Sequence, residues 1–220
     1  MPDVLVDNDV VLKSCCYGVD EPLFEFLDDV DATPLVLAVA KYVIEGRIRR
    51  DRSLVDRERA RASFARSFGR LLGVEPTGAE LTMAAEFESA AQALNLELDG
   101  GESQLLAILI ERRLPLLLTG DKRAIVAIER IAGDALPEPC IACLEQVMAM
   151  LLGRIGLARL RERVCAEPGV DRALTSCFAC RSTVVEATSV GDGLRSYVGH
   201  LRKSSSRILL EADDLSVLVP

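Results

Sequence analysis

The most constraining stretch of the chain is Leu98 to Ile125, LDGGESQLLAILIERRLPLLLTGDKRAI, because it sets two carboxylates at two junctions of regular structure. Leu105, Leu106, Leu109 and Ile110 recur with helical spacing behind the Gly100-Gly101 pair, so Glu102 opens a predicted helix that Pro115 stops. Leu116, Leu117 and Leu118 then form a short, unbroken apolar run, the pattern of a strand buried on both faces in a parallel sheet. Gly120-Asp121 ends that strand. Ligands of open α/β sheets bind beyond the carboxyl ends of strands, which makes Asp121 a candidate for chemistry as well as for a helix cap.

The amino-terminal end repeats the arrangement. Val4-Leu5-Val6 reads as an apolar strand that runs into Asp7-Asn8-Asp9, and Val10, Val11 and Leu12 resume the apolar pattern in a helix through Cys15 and Cys16. A further helix is expected over Glu21 to Leu27. Thr33-Pro34 has the form of an N-cap followed by proline in the first turn, which predicts a helix over Leu35 to Ile44. Thr77 to Glu80 forms a capping box ahead of a helix over Leu81 to Leu94. Ile125, Ile128 and Ile131 mark a helix after Asp121. Cys140 to Leu144 is a strand candidate, and Gln146 to Arg163 a helix. Strands and helices thus alternate to about residue 155, which predicts an α/β main domain over 1–155. Residues 156–220 read as a helical C-terminal extension packed on it, with helices around Asp171 to Arg181 and Asp192 to Arg202. Pro137 and Pro139 bracket a loop, and Leu215 to Pro220 makes an apolar end.

Half of the 220 residues are hydrophobic, enough for one sizeable core. The apolar runs are too short for a bilayer span and the N-terminus lacks the basic start of a signal peptide, so no membrane partner and a cytoplasmic location are expected. Seven cysteines, an odd number, then argue for reduced thiols. Cys140-x-x-Cys143 and Cys177-x-x-Cys180 have the outline of a zinc site, but 33 residues separate them and both lie in apolar surroundings. The one histidine, His200, sits among basic residues with no nucleophile marked for it. Any hydrolytic chemistry must fall to carboxylates.

A net charge of −8 argues against nucleic-acid binding through bulk charge, but residues 47–70 hold nine arginines against three acids. Phe64, Phe68 and Leu72 form an inward stripe there, which leaves Arg59, Arg66 and Arg70 on an outer face. That face is either a solvated surface or a contact for RNA phosphates.

Asp7 in VLVDND, Glu102 in LDGGESQLLAIL and Asp121 in LLLTGDKRAI resemble, in order and spacing, the acidic motifs of PIN-domain nucleases over roughly residues 1–150. The resemblance implies a three-layer α/β/α sandwich with a central, mainly parallel sheet. It implies ribonuclease activity with Mg²⁺ or Mn²⁺, and RNA, a protein antitoxin or a second copy of the chain as partners, since many members are toxins of toxin–antitoxin pairs. Asp7 and Asp121 would be direct ligands, with Glu102 a ligand or the base through a metal-bound water. Asp9 would be a further ligand or support, Asp99 a supporting acid, and Thr119 would orient Asp121. Hard divalent cations prefer such oxygen donors. One departure stands out: where the family places another acid early in the helix after the second strand, Leu35 to Lys41 offers only apolar residues and Lys41, and Glu45 comes one turn late. A weakened module that binds RNA or protein is therefore an alternative. Asp7-Asn8-Asp9 also resembles the nucleophile motif of haloacid-dehalogenase-type phosphatases, but Ile125 stands where their later acid is needed.

Overall fold

In a computed structural model of the chain, residues 2–136, 138–211 and 215 are described. Pro137 and residues 216–220, parts of the expected loop and apolar end, lie outside them. Strands β1 (Asp3–Val6), β2 (Thr33–Leu37), β3 (Leu72–Val74), β4 (Leu116–Thr119) and β5 (Ile141–Cys143) form one sheet in the order β3-β2-β1-β4-β5. Every ladder is parallel. The helices are α1 (Asn8–Tyr17), α2 (Asp20–Asp29), α3 (Ala40–Arg50), α4 (Arg57–Ser67), α5 (Gly78–Ala93), α6 (Gly100–Glu111), α7 (Lys122–Ala132), α8 (Leu144–Ile155), α9 (Leu157–Ala166), α10 (Arg172–Cys177) and α11 (Ala187–Arg202).

Alternation along the strands divides the interior in two. Val4, Val6, Val36, Leu116 and Leu118 face a core shared with α1, α2 and α8, whereas Leu5, Leu35, Leu37 and Leu117 face a second core with α6 and α7. This is the expected three-layer sandwich: a parallel sheet covered on both faces needs strands apolar at every position. Each of Leu116, Leu117 and Leu118 is almost wholly buried, a gain of roughly 1.5–3 kcal/mol per side chain.

Two segments depart from expectation. Thr33–Leu37 is strand β2, and the following helix starts only at Ala40. Thr33 N–H donates to Pro2 O (2.9 Å) on the β1 side, so Pro34 turns its nitrogen toward β3, whose ladder begins one residue later at Leu35↔Leu72. Its missing N–H therefore costs no ladder bond, and an X-Pro pair that resembled a helix start fits a strand. Leu72, assigned to an inward helical stripe, lies instead in β3 and is 58% exposed. The long helix expected over Gln146 to Arg163 is two helices, because Gly156 at φ 76° takes a backbone conformation that breaks the hydrogen-bond ladder.

The C-terminal segment contributes to both cores. Leu160, Val164, Leu174, Phe178, Val190 and Leu194 join the first, Ile208 and Leu209 the second, and Leu209 adds a parallel bridge to Ile141. Not all thiols are reduced: Cys165 and Cys180 form a disulfide. That bond removes Cys180 from the Cys177-x-x-Cys180 pair, while Cys140 and Cys143 are buried.

Glu167, just after α9, is fully buried and accepts hydrogen bonds from Val55 N (2.7 Å), Asp56 N (2.7 Å) and Arg59 Nη2 (3.1 Å). It fastens the α3–α4 loop to the C-terminal segment. Glu167→Ala leaves three part-buried donors without their acceptor and should destabilise by about 2 kcal/mol in urea unfolding. A loss below about 1 kcal/mol would show that the clamp is not needed.

Candidate functional site

The β1 chain leaves the sheet into α1 on one face, and the β4 chain leaves into α7 on the other. Their carboxyl ends are neighbours, paired at Val6↔Leu118, so a crevice opens between them. A cleft of about 540 Å³ occupies this point, and Asp7, Asp9, Asp99, Glu102 and Asp121 all line it. A larger groove, about 980 Å³, lies between α3 and α4, where Glu45 and Glu58 stand among arginines without a carboxylate cluster.

Asp7 is the N-cap of α1, 9% exposed, with its backbone N–H on Leu118 O (2.8 Å). Its carboxylate accepts from Thr119 Oγ1 (3.2 Å), and the same hydroxyl accepts the Asp121 N–H (3.3 Å). Thr119, expected to orient Asp121 through its hydroxyl, holds it by the backbone N–H and also orients the Asp7 carboxylate. Asp121 caps α7, accepting from Arg123 N and Ala124 N (2.8 and 3.2 Å). Asp99 and Glu102 form a reciprocal capping box on α6: Asp99 accepts from Glu102 N (2.9 Å) and Glu102 accepts from Asp99 N (2.8 Å). Capping roles and a place in the cleft coexist in Asp99, Glu102 and Asp121, whereas the Asp7 carboxylate makes no capping bond.

The electrostatics separate them. Burial, and then the charges of Asp9 and Asp99, push the Asp7 carboxyl up to about 6. Burial, with Asp99, Asp121 and Asp7 adding, pushes Glu102 up to about 8. For Asp121 burial is outweighed by the N–H groups of Arg123 and Ala124 and by the Arg123 guanidinium, which hold its carboxyl below the ordinary value.

Cations complete the cleft. Lys13, Arg47, Lys122 and Arg123 line it. Lys13 Nζ is 2.8 Å from Asp9 Oδ2 and Arg47 Nη1 is 3.9 Å from Asp9 Oδ1. Gly120 permits this packing, since a Cβ there would collide with Asp9 Oδ2. Sequence reading passed over these cations, although Asp9 and Lys13 stand at i and i+4 on one helix, an ion-pair spacing. From α3 the cleft receives Val43 and Arg47 rather than an acid. Lys41 lies over the Phe68 ring (5.7 Å) and Glu45 faces the α3–α4 groove, so neither supplies the missing carboxylate.

Arg59, Arg66 and Arg70 do not line the cleft. Arg59 is not on an outer face: it reaches inward to Glu167 and Cys16 O. Arg70 pairs with Asp28 and covers the Phe24 ring, and Arg66 is exposed on α4.

Among the described residues no group of three or more His, Cys, Asp or Glu side chains is placed so that it could hold a metal ion. The chemistry of the donors nonetheless fits a hard divalent cation. All are carboxylate oxygens on the walls of one cleft, and the raised Asp7 and Glu102 express burial first and then repulsion from neighbouring acids, a cost that a cation would offset. No protein-family model, curated protein or solved structure significantly matches the chain.

Raised carboxyl values have a definite sign in stability. Between an ordinary 4.5 and about 8, folded Glu102 keeps a proton that the unfolded chain has lost, so stability falls as pH rises through that window. Glu102→Gln preserves the capping box and removes the titration. In EDTA, the melting temperature of the wild type should therefore drop relative to Glu102→Gln between pH 5 and pH 8. Parallel profiles would contradict the shared electrostatics of the cleft.

Proposed function

We propose that the cleft is a divalent-cation-dependent phosphodiesterase site acting on RNA, a reading that agrees with the resemblance to PIN-domain nucleases. One observation carries it: Asp7, Glu102 and Asp121, far apart in sequence, converge on one cleft at the switch point of the sheet, with two of the three carboxyls raised. Asp7, Asp121 and Glu102 would hold Mg²⁺ or Mn²⁺. The chemistry supplied by the bound cation is neutralisation of charge at the phosphoryl oxygens and acidification of water. Thr119 holds Asp7 in a fixed rotamer by its hydroxyl, and the α7 N-terminus does the same for Asp121. Glu102, with a carboxyl near 8, is protonated at neutral pH in the cation-free cleft, so cation binding must release its proton and should strengthen as pH rises. Once ionised, Glu102 can accept a proton from attacking water.

A second reading is favoured by a specific contact. Asp9 carries Lys13 and Arg47 as partners, and α3 presents Val43 at the cleft, which suits a module that binds RNA or protein without cutting it. The phosphatase reading is weakened by Ile125, fully buried where that chemistry needs an acid.

With Mn²⁺, the wild type should cleave single-stranded RNA and leave a phosphomonoester intact. Asp7→Asn and Asp121→Asn should each lower the rate by about 100-fold or more while remaining folded. RNA bound but uncut by the wild type would favour the second reading, and cleavage retained by both variants would overturn the site.

A further inference from the structure

Lys13 on α1 and Lys122 on α7 approach the cleft from opposite faces of the sheet and meet at one residue, Asp171. Its Oδ2 lies 2.7 Å from Lys13 Nζ and 3.8 Å from Lys122 Nζ, while its Oδ1 caps α10 through Ala173 N and Leu174 N. Each ammonium has a second acid: Asp9 for Lys13, at 2.8 Å, and the fully buried Glu145 for Lys122, at 2.8 Å. The five residues alternate in sign, and of them Asp9, Lys13 and Lys122 line the cleft. Both lysine side chains keep some exposure, 14% and 23%, on the cleft side. An ammonium has three donors, so each of these retains capacity for a further acceptor beyond its carboxylates.

We propose that Lys13 and Lys122 form the phosphodiester-binding element of the cleft, and that Asp171, from the C-terminal segment, is the positioning residue that sets both. The proposal rests on the nuclease reading above. Buried ion pairs contribute little net stability compared with apolar packing, so five buried or half-buried charges beside the candidate carboxylates need another reason to be there. Two compact point charges held about a shared oxygen suit the non-bridging oxygens of a phosphodiester. Asp171 is itself fixed. It lies in the segment closed by the Cys165–Cys180 disulfide, four residues after Glu167, which is clamped to the α3–α4 loop. Without the Asp171 charge, Lys13 falls back on Asp9 and Lys122 on Glu145, and the pair no longer faces the strand as a unit.

The test uses the full chain in EDTA, where nothing is cut, and a fluorescent single-stranded oligoribonucleotide followed by anisotropy across salt concentrations. Lys13→Gln and Lys122→Gln should each weaken binding about tenfold, the loss of one charged hydrogen bond. Each should also lower the slope of log K against log salt by roughly 0.7. Asp171→Asn keeps an oxygen for the α10 cap and removes a negative charge near the RNA. Through-space electrostatics alone would then strengthen binding. Positioning predicts the opposite, a weakening of about tenfold, which disappears when Asp171→Asn is made in the Lys13→Gln/Lys122→Gln background. Wild-type binding with unchanged or tighter binding by folded Asp171→Asn overturns this proposal alone, as does wild-type affinity in both lysine variants. A wild type that neither binds nor cleaves RNA overturns the nuclease reading and the proposal with it.

Discussion

The structure depends on the side-by-side pairing of β1 and β4 at the centre of a parallel sheet. Val4, Leu5 and Val6 pair with Leu116, Leu117 and Leu118, and all six are almost completely buried. Each chain then leaves toward a different layer: α1 packs with the core that contains Val4, and α7 with the core that contains Leu5. The diverging exits leave an open crevice at the end of the sheet, spanned near its base by the Thr119 hydroxyl, and the first residues of the departing helices line it. Asp121 caps α7, whereas Asp7 holds the N-cap position of α1 without a side-chain capping bond, and both line the crevice because the topology reverses at that point.

Electrostatics gives the crevice its character. Five carboxylates share one cleft, and the raised Asp7 and Glu102 are the measure of their crowding and burial. The chain offsets part of this itself. Lys13 and Arg47 serve Asp9, while Lys122 serves Glu145 and Asp171. Asp7 and Glu102 receive no such cationic partner among the described residues, so two of the three acids that the proposed chemistry would use hold their protons more tightly than ordinary carboxyls. The C-terminal segment takes part in this balance through Asp171, which ties it to the cleft as well as to the cores.

Much of the sheet's centre was legible in the sequence. The strand runs of Val4–Val6 and Leu116–Leu118, the capping box at Thr77 and the carboxylates at strand ends follow from local patterns that need no tertiary information. The flank of the sheet was not legible, because Thr33-Pro34 satisfies the local rules for a helix start equally well, and only the late onset of β3 explains why proline is tolerated in a strand there. Leu72–Val74 is too short and too exposed to stand out. The capping box of Asp99 with Glu102 was hidden behind the Gly100-Gly101 pair, which resembles a helix end and is in fact the first turn of α6. Arg59, Lys13 and Asp171 show the wider limit: their partners lie 108, 158 and 158 residues away in sequence, and no spacing rule links residues so far apart.

Cation binding by the cleft is the claim on which the account turns, and Mn²⁺ titration followed by electron paramagnetic resonance tests it without recourse to any substrate. At pH 8 the wild-type chain should take up Mn²⁺ saturably at one site, with uptake that weakens toward pH 6 as Asp7 and Glu102 hold their protons. Asp7→Asn should abolish that binding while leaving the chain folded. Mn²⁺ that stays free in the presence of the wild type, or that binds Asp7→Asn equally well, would contradict a divalent-cation site at the junction of β1 and β4.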